Sequence, residues 1–187
     1  MKTISLLGYA LLGLLHQKAR SGYDLRKIFA STPMGTFSDS PGAIYPALQR
    51  LEKQGLVRGQ LQASSGRRRR RVFRPTASGK RSFKAWQTKA ISQDDVIHRV
   101  DELMLRFGFM DETAGPDHAR RFLTSLAREL RRYTPSLRQY LKANARYMPL
   151  SGRLALESGV RDYEELLRWS RSSLAKYKNK KKGARRT

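Results

Sequence analysis

Ser40-Pro41-Gly42-Ala43-Ile44-Tyr45-Pro46-Ala47-Leu48-Gln49-Arg50-Leu51-Glu52-Lys53-Gln54-Gly55-Leu56-Val57 reads as one helix with both ends marked. Ser40 is placed as the N-cap, where its hydroxyl accepts from an otherwise orphaned amide. Pro41 at the first helical position loses nothing, because its absent N–H would have had no partner there. Ile44, Leu48 and Leu51 recur at steps of four and three and form the buried stripe. Gly55 stops the helix. Pro46 lies inside it, removes one backbone donor, and predicts a local distortion near the start. Gly42, Ala43, Tyr45, Pro46, Gln49, Arg50 and Lys53 are left on the outer face or at its margin.

Two helices precede this one. The first covers about residues 3–16, with Thr3 or Ser5 as cap; Leu6, Ala10 and Leu14 fall at helical spacing with Leu7, Leu11 and Leu15 beside them. Residues 19–22 read as a turn. The second helix covers about 22–31 and turns Leu25, Ile28 and Phe29 inward, and 32–39, with Pro33 and Gly35, reads as a loop. Downstream, strand-like runs at 56–63 and 69–74 flank a hairpin turn at 64–68. Val72 and Phe73 anchor a run of five arginines, Arg67 to Arg71, to the second strand; a turn at 76–79 and a helix at 78–91 follow. Three helices and then a basic hairpin is the order of a winged helix-turn-helix. In that arrangement the third helix keeps one face in a small core and offers the other to the major groove, while the hairpin lays its arginines along phosphates.

Charge agrees with a polyanionic partner. The 187 residues carry a net +24. Residues 1–90 hold 18 Lys and Arg against 3 Asp and Glu, a net +15, and the remainder holds 21 against 12, a net +9. A field of that sign attracts DNA, RNA or an anionic membrane. The chain has no cysteine, which excludes disulfides, thiolate nucleophiles and Cys-based zinc sites and suits a reducing cytoplasm. Lys2 and the apolar run from Ile4 to Leu15 have the outline of a signal peptide, but no small-x-small cleavage site follows, and the run is too short to span a bilayer. A buried helix is the expectation, with no membrane as partner.

The C-terminal half shows no strand signal. Residues 94–109 read as one amphipathic stretch. A longer one opens at 115–117 and repeats Ala119, Phe122, Leu126, Leu130, Tyr133, Leu137 and Tyr140 at alternating steps of three and four, the spacing of a helix-helix seam. Pro135 predicts a kink or break in it. After a turn at 149–152, a last helix at 153–177 repeats Val160, Tyr163, Leu167 and Leu174. The expected fold class is therefore mainly α with a small β-wing. Its parts are a winged helix-turn-helix DNA-binding domain at 1–90, a helical dimerisation domain at 91–177, and a disordered basic tail at 178–187.

Candidate DNA contacts follow from the outer face and the wing. Small Gly42 and Ala43 let backbone approach the duplex. Tyr45 offers a phenol to a phosphate or a ring edge to a thymine methyl, or else packs half-buried. Gln49 can pair with a base edge, and Arg50 and Lys53 face either phosphate or solvent. Arg67, Arg68, Arg69 and Arg70 would release condensed counterions from the phosphates they neutralise, so that affinity falls with salt. Catalysis is not expected: His16, His98 and His118 are scattered, no metal site and no cofactor are implied, and no phosphate-cradling glycine loop occurs. Tyr9, Trp86, Phe107, Tyr140 and Trp169 are flat surfaces that could line a pocket for a small aromatic effector or simply pack in helix interfaces.

Leu11-Leu12-Gly13-Leu14-Leu15, Ser21-Gly22-Tyr23-Asp24-Leu25 and above all Gly42 to Val57 resemble the PadR family of bacterial regulators, and Arg69 to Thr76 and Gly79 fit as well. The resemblance covers about the first eighty residues. Phe73 stands where the family often has Tyr, and Pro75 where it usually has an aliphatic residue. The resemblance implies a homodimer that binds double-stranded DNA at two-fold operators, usually as a repressor. Tyr23, Ser40, Gly42, Ala43 and Tyr45 would contact DNA beside the wing arginines. It also implies dimerisation through the C-terminal helices and, in many members, release of DNA by a small planar or aromatic effector. The alternative is an architectural DNA- or RNA-binding protein that uses the basic wing and tail without operator specificity.

Overall fold

The computed structural model describes residues 3–38, 41–62 and 70–183 and divides the chain into two compact units, Met1–Gln87 and Thr88–Thr187.

In the first unit the order is α1 (Leu6–Gln17), β1 (Arg20–Ser21), α2 (Gly22–Ser31), a short 3-10 helix (Pro33–Phe37), α3 (Pro41–Lys53), β2 (Val57–Gln62), β3 (Arg70–Pro75) and α4 (Ala77–Gln87). Of the two candidate caps for α1, Ser5 does the work: its hydroxyl accepts from the Gly8 amide at 3.2 Å. Ala10, Leu11, Leu12, Leu14 and Leu15 are all buried, so the second half of α1 is enclosed on every side. Each fully buried leucine contributes about 2 kcal/mol, which makes α1 the centre of this unit. α3 buries Ile44, Ala47, Leu48 and Leu51, the expected stripe with one alanine added. It runs on across Pro46 as one helix, which the sequence reading keeps; one lost backbone donor is outweighed by the packing on either side of it. Ser40, the expected cap, lies outside the described residues, as do the hairpin tip and Arg67, Arg68 and Arg69.

The sheet has three antiparallel strands in the order β1-β3-β2. β1 falls where the linear pattern reads a turn. A two-residue strand has no periodicity to detect; it exists because Arg20 pairs with Phe73 and Ser21 with Val72. Ser21 then also caps α2. Its hydroxyl accepts from the Asp24 amide at 3.2 Å, and the Asp24 carboxylate accepts from the Ser21 amide at 3.0 Å. The hydrogen bond from the Ser21 hydroxyl is the chief reason the Asp24 carboxyl titrates below its ordinary value. β3 extends one residue beyond expectation, to Pro75 opposite Val57, where a missing donor falls at the end of the ladder. α4 ends at Gln87 rather than near residue 91.

The second unit contains α5 (Gln93–His98), α6 (Val100–Gly108), α7 (Met110–Thr113), α8 (Pro116–Asn144), a 3-10 turn (Ala145–Tyr147) and α9 (Leu150–Gly183). The stretch 94–109 is two helices. A Ser92–Asp95 capping box starts the first, and Arg99 (φ −137°, ψ 35°) leaves helical dihedrals between them while its side chain pairs with Asp94 and Asp95. α8 continues past Pro135 without a break, because α9 packs along it on both sides of the proline. The core is Ile91, Val96, Leu103, Met110, Ala119, Phe122, Leu126 and Leu130. Arg106, 1% exposed, is enclosed in this unit, donates to the Lys89 carbonyl and lies over the Phe122 ring at 5.5 Å. Tyr177 ties α9 to α7 by donating to Asp111 at 2.9 Å. α9 includes residues 178–183, the first part of the expected disordered tail, because Lys propagates a helix already nucleated; 184–187 lie outside the described residues. No described helix is long and apolar enough to cross a membrane.

Candidate nucleic-acid interface

The outer face of α3 is as the spacing requires. Gly42, Gln49, Arg50 and Lys53 are exposed and Ala43 is half-buried. Tyr45 is 44% exposed and Tyr23, at the start of α2, is 52% exposed. The two tyrosines belong to one surface. A Cβ built on Gly22 would stand 2.5 Å from Tyr45 Cε1, so the Tyr45 ring lies directly on the Gly22 backbone at the N-terminus of α2. Only a residue without a side chain permits that seat. Tyr45 is thus half-packed and half-offered: its inner edge rests on Gly22 and its outer part faces water. The Arg26 guanidinium lies 5.6 Å from the centre of the Tyr23 ring and places a cation beside the phenol.

The wing is fastened to α3 by a carboxylate. Glu52 Oε1 accepts from the Gly59 amide at 2.8 Å and from Arg71 Nη2 at 2.9 Å, and Oε2 accepts from the same Nη2 at 2.8 Å. Arg71 also lies over the Phe73 ring, 5.5 Å from its centre. Of the two arginines of the run that are described, Arg71 turns its guanidinium to Glu52 while staying partly exposed, and Arg70 is exposed without pairing to that acid. In the linear sequence the five arginines look alike. Glu52 and Gly59 were the signal that could have separated them, an acid on α3 and a bare backbone position in β2.

The structure adds cations that linear reading did not connect. Lys18, Arg70, Arg74 and Lys80 border a cavity of about 650 Å3 at the base of the wing, with Asp24 among them. They come from the residue capping α1, from β3 and from α4, and the β1–β3 pairing brings them together. His16 borders the same cavity. Its ring stacks on Phe83 at 4.8 Å and its Nδ1 donates to the Leu12 carbonyl at 2.8 Å; burial above all keeps its pKa below the ordinary imidazole value. Arg50 and Lys53, by contrast, border a separate cavity of about 500 Å3 with Ile4, Ser78 and Ser82, at the far end of α3 from Tyr45.

The profile of the transcriptional regulator PadR-like family matches residues 11–85, which contain all of these elements from the body of α1 to α4. The negative transcriptional regulator PadR of Bacillus subtilis is 25% identical over 145 residues, covering 78% of this chain and 79% of that protein. The first unit thus carries the match to the transcriptional regulator PadR-like family. Solved structures similar to it include Bacillus subtilis PadR in complex with operator DNA, at 23% identity and a TM-score of 0.45, covering 94% of this chain and 99% of that one. The same protein in complex with p-coumaric acid has 22% identity and a TM-score of 0.42, covering 95% and 98%.

The five aromatic residues read as candidate effector contacts are described within each unit. Tyr9 and Trp86 lie in the first unit and stack on each other, 4.1 Å between centres and 5° between planes, with Trp86 also against Phe83. Phe107 and Trp169 meet edge to face in the second unit at 5.4 Å, and Phe107 stacks on Phe122. Tyr140 is 56% exposed on α8. Four of the five thus touch other rings. Among the described residues no group of three or more His, Cys, Asp or Glu is placed to hold a metal ion.

Proposed function

We propose that this PadR-like chain is a dimeric, sequence-specific repressor that seats α3 in the major groove of an operator. The observation that carries the reading is Tyr45 resting on Gly22 beside Tyr23. Two large aromatic side chains are held in the open at the junction of α2 and α3, with Arg26 next to them and the outer row of α3 alongside. A phenol in that position can donate to a phosphate while its ring edge reaches a base. Gly42 and Ala43 allow close approach, and Gln49 follows along the helix toward a base edge. The Glu52–Arg71 pair holds the wing so that Arg70, with Arg67, Arg68 and Arg69 preceding it in sequence, tracks the backbone. Lys18, Arg74 and Lys80 extend that track. Repression is supported by the negative regulator of Bacillus subtilis to which most of the chain aligns. A cytoplasmic location follows from such a target.

The dimer surface lies at the free end of the α8–α9 hairpin. The seam read in α8 is buried from Ala119 to Leu130, half-buried at Tyr133 and Leu137, and open at Tyr140. Tyr147, Leu150 and Leu154 continue it, at 70%, 62% and 52% exposed. An apolar row that outruns its own core is what a second copy would cover.

Selection of bound fragments from random duplexes at physiological salt tests the proposal. A repressor of this kind enriches one two-fold sequence with half-sites about one helical turn apart. Equal retention of all duplexes would replace it with the architectural reading. Sedimentation of a Leu150→Glu, Leu154→Glu variant checks the dimer, which should become monomeric.

A further inference from the structure

The two faces of the wing sheet differ in charge. Arg71 turns to Glu52 on α3, and a Cβ built on Gly59 would stand 3.0 Å from Glu52 Oε1 and 2.6 Å from Arg71 Nε. Successive strand residues alternate between faces, so Arg70, Val72 and Arg74 of β3 and Arg58, Gln60 and Gln62 of β2 point the other way. On that outer face the register sets Gln62 opposite Arg70, Gln60 opposite Val72, and Arg58 opposite Arg74. The last rung is a cation facing a cation.

Directly opposite residues of an antiparallel pair have Cβ atoms about 5 Å apart, and like charges there destabilise the sheet. Arg58 and Arg74 are both exposed, and neither makes an ion pair among the described residues. Glu52 lies on the opposite face and is engaged by Arg71 and the Gly59 amide. Lys18, Arg70 and Lys80 border the cavity that Arg74 also borders, and Asp24 is the one acid there among the described residues. Its carboxylate already accepts from the Ser21 amide at 3.0 Å and the Ser21 hydroxyl at 2.7 Å. The rung is therefore a place where the free chain concentrates positive charge and supplies no anion of its own.

We propose that Arg58 and Arg74 jointly hold one backbone phosphate of the bound duplex, so that Arg58 joins the DNA-binding surface. The proposal rests on the repressor reading, which supplies the duplex. The rung continues the cationic row of β3 that begins in the wing run, so a polyanion lying along the run reaches it. Two guanidinium groups on adjacent strands can donate to one phosphate from either side, and their mutual repulsion is relieved when the anion lies between them. Gln60 and Gln62 add uncharged donors and no acid to repel the backbone. A phosphate contact reads no base, so the rung adds affinity for every sequence alike.

The test uses the full chain with Arg58→Gln, Arg74→Gln and both together, each with circular dichroism matching the parent. Fluorescence anisotropy with a mixed-sequence duplex is followed across a salt series. Each single variant should bind about fivefold to tenfold more weakly and lower the slope of log affinity on log salt by about 0.9, the value for one phosphate. The double variant should lose little beyond either single one, because one phosphate is shared. The free Arg58→Gln chain should melt no lower than the parent, and higher at low salt, since a like-charge contact is gone. Unchanged slopes in the single variants would overturn the proposal. So would additive losses in the double variant, which would mean separate contacts, or a melting temperature lowered by either substitution at low salt, which would give the rung a structural role. Inorganic tripolyphosphate distinguishes the free anion from the duplex: it should raise the melting temperature of the parent more than that of the double variant, and an equal rise would leave the rung without a phosphate. Enrichment of one two-fold sequence is a separate readout, so failure here leaves the repressor proposal standing.

Discussion

Arg71 of β3 and Glu52 of α3 form a bidentate pair, and the same carboxylate takes the Gly59 amide of β2. The ion pair is partly exposed, 53% at Arg71 and 27% at Glu52, so by itself it stabilises by less than about 1 kcal/mol. The Gly59 bond matters more, because removing the acceptor leaves a half-buried backbone donor unmade, at about 1 kcal/mol. Glu52→Ala should therefore lower stability by about 1–2 kcal/mol, and Arg71→Ala by distinctly less. Urea unfolding of the two variants checks the order. Arg71→Ala proving the more harmful would assign the main effect to its stacking on Phe73.

Gly22→Ala places a methyl where the Tyr45 ring rests. Because Tyr45 is half exposed, the ring can swing outward, so the stability change should stay below about 1 kcal/mol. Operator affinity should fall about tenfold, roughly 1.4 kcal/mol, since the phenol is displaced. In a Tyr45→Ala background the same substitution should have almost no further effect on DNA binding, because the two residues act as one unit. Additive losses would show that Gly22 serves DNA by another route.

Gly79→Ala should be the most damaging small change in the first unit. Its Cβ would fall 2.0 Å from the Leu56 carbonyl oxygen, a backbone atom that cannot rotate away. The Gly79 amide meanwhile bonds Thr76 Oγ1 at 3.0 Å, and that hydroxyl reaches the Gly55 carbonyl at 2.6 Å. A loss of about 2–4 kcal/mol is expected. A calorimetric melting temperature within a degree or two of the parent would contradict it.

Alanine at Arg67, Arg68, Arg69 and Arg70 should weaken binding to every duplex and flatten the dependence of log affinity on log salt by up to about 3.6, near 0.9 for each phosphate no longer neutralised. Fluorescence anisotropy across a salt series measures the slope directly. A slope equal to the parent's would take the wing off the backbone.

Mild acid should destabilise the first unit through His16. Its folded pKa lies below the ordinary 6.5, chiefly from burial, so the unfolded chain takes up the proton first. Stability is fully present above that value, declines as pH falls through it, and stops declining once the folded state also protonates. Asp24, whose carboxyl is lowered from 3.8, contributes its loss only in stronger acid. Thermal unfolding between about pH 7.5 and 5 should thus show a fall that His16→Phe removes, the new ring keeping the stack on Phe83. An identical fall in the variant would place the titration elsewhere.

Most of the first unit was legible in the linear pattern, because its signals are local. The Ile44, Leu48, Leu51 stripe, the alternation of strand-like runs and the Gly55 stop each depend on neighbours a few residues away. β1 was invisible, since Arg20 and Ser21 become a strand only on meeting Phe73 and Val72. Pro46 and Pro135 each weaken a helix locally, but packing along the whole length of α3 and α8 outweighs one missing bond. The break at Arg99 went unread because no breaker residue marks it.

For the candidate interface, residue types alone were enough to select the outer face of α3 and to place an excess of positive charge in the first ninety residues. Helical periodicity fixes which side chains face out, and charge is a property of composition. The third dimension decided the rest. It seated Tyr45 on Gly22, drew Arg71 from the wing run to Glu52, gathered Lys18, Arg74 and Lys80 beside Arg70, and packed Trp86 and Trp169 against other rings. Each of these joins residues on different elements, and a side chain's partner across space depends on how those elements pack, a relation that no spacing along the chain encodes.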